Sequence, residues 1–282
     1  MTSKLLTTTA QGLQQIIDML LLNGTLTTCP GLVHGKIGIS IFFFHYAQYT
    51  GNMLFANYAI DLIGEIQKQI HANSPADYEK GISGIGVGID YLIRNKFLSA
   101  EDDILEDFDQ RMVRAVMYDP WQDFSLYDGL TGYGKYWMMR LSYPRASVQA
   151  RKYLLHIVGL IEEKIADMSA DEQTDVYCFL HDLCQIQDFE ICTDLLGKTE
   201  IPPADFLRLA DSTIGNIIRI VQRNRYFNES LQEDVDIALK QIPDLNMEKP
   251  HADMGLLSGF AGEGMLRLSA IFPTITSWML LL

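Results

Sequence analysis

Three side chains with metal-ligating chemistry fall close together in the second half of the chain: Cys178, His181 and Cys184. Thiolate and imidazole are donors that suit zinc, and steps of three residues put neighbours on one helix face. Cys178 and Cys184 are six residues apart, about 600° of helical rotation, which leaves them roughly 120° apart around a regular helix. An irregular turn here would let all three reach one ion; a regular helix favours thiols that act as small core residues. A second set is spread along the chain. His34, Lys36, Asp128, Tyr133 and Glu263 each stand beside a glycine-rich stretch. They could supply a base, an acid or ligand contacts if those stretches converge on one cavity. The local alternative is helix capping, for which Asp128 and Ser258 are suitable types. Asp90, Asp119, Asp123, Asp128 and Glu263 offer carboxylates for an acid and a base at a glycosidic bond, but no spacing marks a pair. No G-x-S-x-G elbow, P-loop or H-E-x-x-H pair occurs. Gly84, Gly86 and Gly88 lack the preceding strand that a dinucleotide fingerprint requires.

The elements that must position these residues are set by a repeat. A short glycine pattern occurs four times: G-K-I-G-I-S from Gly35, G-I-S-G-I-G from Gly81, G-L-T-G-Y-G from Gly129 and G-F-A-G-E-G from Gly259. Each copy leads into an apolar segment of helical length. The intervals are 46, 48 and 130 residues. The first two fit a pair of helices with their loops, and the last has room for two degenerate units, one near Cys178 and one near Gly215. The segments after the glycines, such as Ile37 to Tyr49 and Ile85 to Ile93, are apolar nearly all round, as a buried inner helix is. The segments between them are amphipathic. Leu54 to Ile70 turns Asn57, Asp61, Glu65 and Lys68 away from its apolar face. Ser99 with Asp102 resembles a capping box opening a helix over 100–117, and Ser147 starts a helix that runs to Met168. Strand signals are scarce. The expectation is an all-α protein of about six helix pairs. Glycine at the inner-helix starts would permit positive φ or close approach between helices, and would leave helix N–H groups facing a common cavity.

These motifs resemble the lanthionine synthetase C-like family, on G-L-V-H-G-K-I-G-I at 31–39, G-I-S-G-I-G-V-G-I-D-Y-L at 81–92, D-G-L-T-G-Y-G at 128–134 and L-L-S-G-F-A-G-E-G-M-L-R-L at 256–268. The resemblance covers most of the chain and is thinnest between about 145 and 250. It implies a single α/α toroid domain over 1–282 and a role in forming thioether rings in modified peptides. It also implies a zinc ion held by two cysteines and a histidine, which activates a cysteine thiolate. The family's Trp-Cys-x-Gly and Cys-His-Gly turns are both absent here. The resemblance therefore implies a peptide-binding or accessory member; its cofactor is left open, with zinc possible although the family's ligand motifs are absent. A sugar-cleaving hydrolase on an α/α ring and a non-catalytic scaffold are the alternatives.

Charge narrows the partners. With 22 basic against 36 acidic residues the formal net charge is −14, so polyanions are repelled at long range and nucleic acid is not an expected partner. A peptide or a protein is. Apolar positions at Leu13, Ile16, Ile17 and Leu20 alternate with Gln14, Gln15 and Asp18 in an amphipathic helix that does not read as a signal peptide. The runs Ile37–Phe44 and Trp278–Leu282 are too short to span a bilayer, and the four cysteines read as reduced thiols. The expected location is the cytoplasm.

Overall fold

The structure, a computed structural model, describes residues 3–100, 103–119, 121, 123–187, 189, 192–199, 213–227, 253–272 and 274–282. Regular structure among the described residues is helical throughout. In chain order the helices are α1 (Ser3–Asn23), α2 (Lys36–Thr50), α3 (Met53–Gln69), α4 (Ile82–Arg94), α5 (Glu106–Met117), α6 (Leu130–Arg140), α7 (Ser147–Lys164), α8 (Ala170–Cys184), α9 (Cys192–Leu196), α10 (Thr213–Phe227) and α11 (Phe260–Ile271). No described helix is long and apolar enough to cross a membrane. The chain divides into two compact units. The first joins Met1–Ile70 to Leu209–Leu282 and the second is His71–Arg208.

Helix character follows the sequence pattern. α2 is buried from Lys36 through His45, whereas α3 buries only Ala56, Ala59, Leu62 and Ile66, a single stripe. The reversal between them takes two residues. Gly51 adopts φ 69°, a left-handed conformation that glycine reaches without a Cβ clash, and the Asn52 side chain accepts the Leu54 N–H at 3.1 Å.

The four glycine turns share one mechanism. The turn glycines Gly35, Gly81, Gly129 and Gly259 have φ between −99° and −126°, ordinary extended backbone, so positive φ is not why glycine stands there. Close approach is. The loop leading into each helix folds back under its first turn, and the first helical N–H bonds a carbonyl seven residues upstream: Lys36 to Cys29, Ile82 to Pro75, Leu130 to Asp123 and Phe260 to Asp253, at 2.9–3.0 Å. A Cβ on Gly35 would lie 2.6 Å from the Cys29 oxygen, and one on Gly259 would lie 2.5 Å from the Asp253 oxygen. In α11 the next two N–H groups are bonded the same way, to Met254 and Gly255. The expectation that these N–H groups face a cavity is therefore corrected: the chain's own loop occupies them.

Two further registers tie each inner helix to another. Five residues past the turn glycine, Gly86 of α4 receives the ring of Tyr136 of α6, with an added Cβ 2.7 Å from that ring. Gly134 of α6 receives Phe179 of α8 in the same way, and in the first unit Gly264 of α11 receives Phe42 of α2. Loops are also bonded to loops. Tyr78 donates its N–H to the Tyr127 carbonyl at 2.8 Å, and Leu256 donates to Val33 at 2.7 Å. The last repeat thus meets the first through the same contacts that link the second repeat to the third.

The fourth unit departs from this pattern. Residues 178–184 form no irregular turn, because the Ser169–Glu172 capping box starts α8 well upstream and the helix runs unbroken to Cys184. With no glycine loop available, acidic side chains of α8 accept the bonds that a loop backbone accepts elsewhere. Asp175 takes the Leu126 N–H at 2.8 Å, and Glu172 takes the Phe124 N–H at 3.2 Å. Burial raises the Asp175 carboxyl to about 6 against the opposing pull of the Leu126 N–H and Lys135. A carboxyl with a raised folded pKa binds its proton more tightly in the native state. Its contribution is greatest below about pH 4 and is lost as pH rises through about 6. Asp175→Asn keeps an acceptor for Leu126 and removes the charge, so it is expected to raise stability at pH 7 by about 2 kcal/mol and to flatten the profile between pH 4 and 6. Urea midpoints of the two proteins across that range would check this.

Other boundaries shift. The helix expected over 100–117 begins at Glu106, and Asp102 lies outside the described residues. The helix from Ser147 ends at Lys164 and tightens into a 3-10 turn over Ile165–Asp167. In the second unit Arg140, 1% exposed, is held between two carboxylates. Asp103 and Asp109 each take two of its N–H groups at 2.6–2.9 Å, and Tyr136 Oη donates to Asp109 at 2.7 Å. The hydrogen bonds from Arg140 hold the Asp103 carboxyl below its ordinary range.

Candidate functional site

The most chemically capable cluster lies in the first unit, where the loop before α11 meets the loop before α2. Asp253 stands six residues ahead of Gly259, and its Oδ1 accepts the Gly255 N–H at 2.8 Å, which folds the loop into an Asx turn. Its Oδ2 accepts from Ser258 Oγ at 2.7 Å and meets His34 Nδ1 at 2.6 Å. Burial pushes the Asp253 carboxyl up, but the hydrogen bonds from His34, Gly255 and Ser258 outweigh it and hold the carboxyl below its ordinary value. The carboxylate is therefore ionised near neutral pH and can only accept, which places the proton on His34 Nδ1. His34 is about 29% exposed. A carboxylate on Nδ1 fixes the orientation of the ring, the arrangement found where an imidazole exchanges protons through its other nitrogen. Ser258 bonds the carboxylate and not the imidazole, so the three residues do not form a nucleophile triad.

The other sequence candidates separate. Lys36 is 3% exposed and its Nζ pairs with Glu65 of α3, which reverses the expectation that Glu65 turns away. Lys36 thus serves as a strut between two helices. Glu263 in the first turn of α11 lies 3.8 Å from Arg267 one turn further on, and Arg267 itself is buried over Gly12 of α1. In the second unit Asp128 is exposed. Its carboxyl is nevertheless partly desolvated, which raises it together with Glu79, Asp77 and Asp123, with Lys80 opposing. Tyr133 is 7% exposed and its hydroxyl is raised by burial and by Asp77, with Arg111 opposing.

Cys178, His181 and Cys184 all lie on the continuous helix α8. Among the described residues no group of three or more His, Cys, Asp or Glu side chains is arranged to hold a metal. His181 Nδ1 lies 4.0 Å from Asp182, and Cys184 Sγ accepts from Thr193 Oγ1 at 3.9 Å. Burial raises the Cys184 thiol against the pull of Thr193. On this regular helix the three side chains do not converge on one point, which is the geometry that zinc ligation by all three would need.

No family model and no curated protein matches the chain. Sequence reasoning missed Asp253 as the partner of His34. The repeat carried a signal for it, because Asp123 stands six residues ahead of Gly129 as Asp253 does ahead of Gly259. Asp123 Oδ1 makes the matching turn, accepting the Ser125 N–H at 2.9 Å.

Proposed function

We propose that this chain is a lanthionine synthetase C-like protein whose helix pairs close into an α/α ring, and that it binds a cysteine-containing peptide and moves its proton through His34. The observation that carries this reading is the His34–Asp253 pair, which joins the first and last glycine turns at 2.6 Å. Ring closure is supported by the contact of α11 with α2, made in the same register as α4 with α6. The glycine motifs support the family, and the missing zinc donors make this a member whose chemistry rests on side chains. His34 Nε2 would take the proton of a substrate thiol as the sulfur bonds the β-carbon of a dehydrated residue. The same proton then passes to the α-carbon, so the addition consumes nothing else.

The sugar-cleaving alternative has no comparable support. Glu263 lies against Arg267, and Asp128 lies among three other carboxylates.

The test is thioether formation in a dehydrated peptide bearing one free cysteine, followed by mass spectrometry after thiol alkylation. Wild type should accelerate ring closure. His34→Ala should lower the rate about 100-fold, and Asp253→Asn should lower it less and displace the pH profile. A wild-type chain that neither binds the peptide nor accelerates closure would overturn the proposal.

A further inference from the structure

Between α5 and α7 in the second unit lies a cavity of about 690 Å3. Arg140 lines it, but four of its five N–H groups are taken by Asp103 and Asp109, so it does not offer a ligand a complete guanidinium fork. On α5, Asp107, Gln110 and Arg114 recur at steps of three and four residues and share one helix face. On α7, Gln149 and Tyr153 line the same space. Asp107, Gln110, Arg114 and Gln149 are exposed.

Charge is ordered along α5, with Glu106, Asp107 and Asp109 in its first turn and Arg114 in its last. Four acids and four arginines line the cavity, a net charge of zero, so it discriminates against a strongly charged ligand of either sign. Asp107 and Arg114 are seven residues or about 10 Å of helix apart, and Arg114 gives one Nη2 hydrogen to the Ala72 carbonyl, which leaves the rest of its fork for a ligand. A ligand that satisfies both carries a cation and an anion at that separation. The guanidinium fork suits a carboxylate, and Gln110 and Gln149 present amide donors and acceptors that match a peptide unit. Acids early and bases late in a helix also complement its macrodipole. The dipole alone, however, does not place Gln149 and Tyr153 of a second helix around the same volume.

The geometry points to a binding site for a short peptide with free termini, its ammonium group at Asp107 and its carboxylate at Arg114. An extended chain advances about 3.3–3.6 Å per residue, so about three residues span the distance. This site does not depend on His34, and its occupant need not be a cysteine peptide.

Calorimetric titration of the full chain with trialanine, N-acetyl-trialanine and trialanine amide tests it. Trialanine should bind saturably and each blocked form at least tenfold more weakly. Asp107→Asn should make trialanine and its acetylated form bind alike, and Arg114→Gln should do the same for the amide. His34→Ala should leave all three affinities unchanged, which separates this site from the proton-transfer site. Circular dichroism checks that the variants fold; should Arg114→Gln unfold, the blocked peptides and Asp107→Asn decide alone. No saturable binding, equal binding of free and blocked peptides by wild type, or discrimination that survives the substitutions would each overturn the proposal.

Discussion

Gly262→Ala is expected to destabilise the chain by about 3 kcal/mol, although it adds one methyl group. The new Cβ would fall on the backbone carbonyl of Leu256, with the carbonyl carbon 2.8 Å away and Ile214 Cδ1 3.0 Å away. A flexible side chain could rotate aside; this peptide cannot. Leu256 is held by its N–H bond to Val33, and Gly255 by the Asp253 carboxylate. Relief requires the loop to lift from α11, which breaks the His34–Asp253 contact as well. A matched control exists in Gly64, midway along α3, where an added Cβ meets nothing within 4 Å. Gly64→Ala should stabilise by about 0.5–1 kcal/mol through helix propensity. Denaturant midpoints compare the two directly. Equal effects would mean that close approach is not why glycine stands at 262.

Arg140→Met should cost about 3–5 kcal/mol at pH 7. The substitution leaves Asp103 and Asp109 without the cation that takes four hydrogen bonds to them, in surroundings where Arg140 is 1% exposed. The loss should be pH-dependent. In wild type the depressed Asp103 carboxyl contributes stability above its unfolded pKa, and that contribution fades as pH falls through the folded value. In the variant the Asp103 carboxyl loses the guanidinium that favours its charged form. The gap between the two proteins should therefore narrow as pH falls toward 4. A gap that stays constant from pH 7 to 4 would assign the cost to lost packing and not to uncompensated charge.

The helical class and the alternation of buried and amphipathic helices were readable because each repeat carries its signal within about 48 residues. The purpose of the glycines was not. Positive φ and close approach leave the same letters in a sequence, and only the loop carbonyls under Gly35 and Gly259 decide between them. Near Cys178 the spacing called for a turn, and the capping box at Ser169 won, since a helix nucleated there has no reason to stop. His34 was readable as a candidate by its place beside a turn. Its partner lies 219 residues away, a separation at which no local pattern operates. Lys36 looked equivalent to His34 for the same positional reason, but its long side chain reaches Glu65.

The division of the chain also bears on the order in which it can fold as it leaves the ribosome. The second unit, His71–Arg208, is continuous and has every one of its helices once residue 208 has emerged. The first unit is split, and the loop before α2 must wait for residues 253–257 to supply Asp253, Leu256 and Leu257. Domains tend to fold as units during synthesis, at about 5–20 residues per second. The N-terminal helices are thus made first and completed last. For some ten seconds or more, Phe42 of α2 lacks the close cover that Gly264 will later give it, and such incompletely packed apolar surface is what makes a nascent chain prone to aggregate.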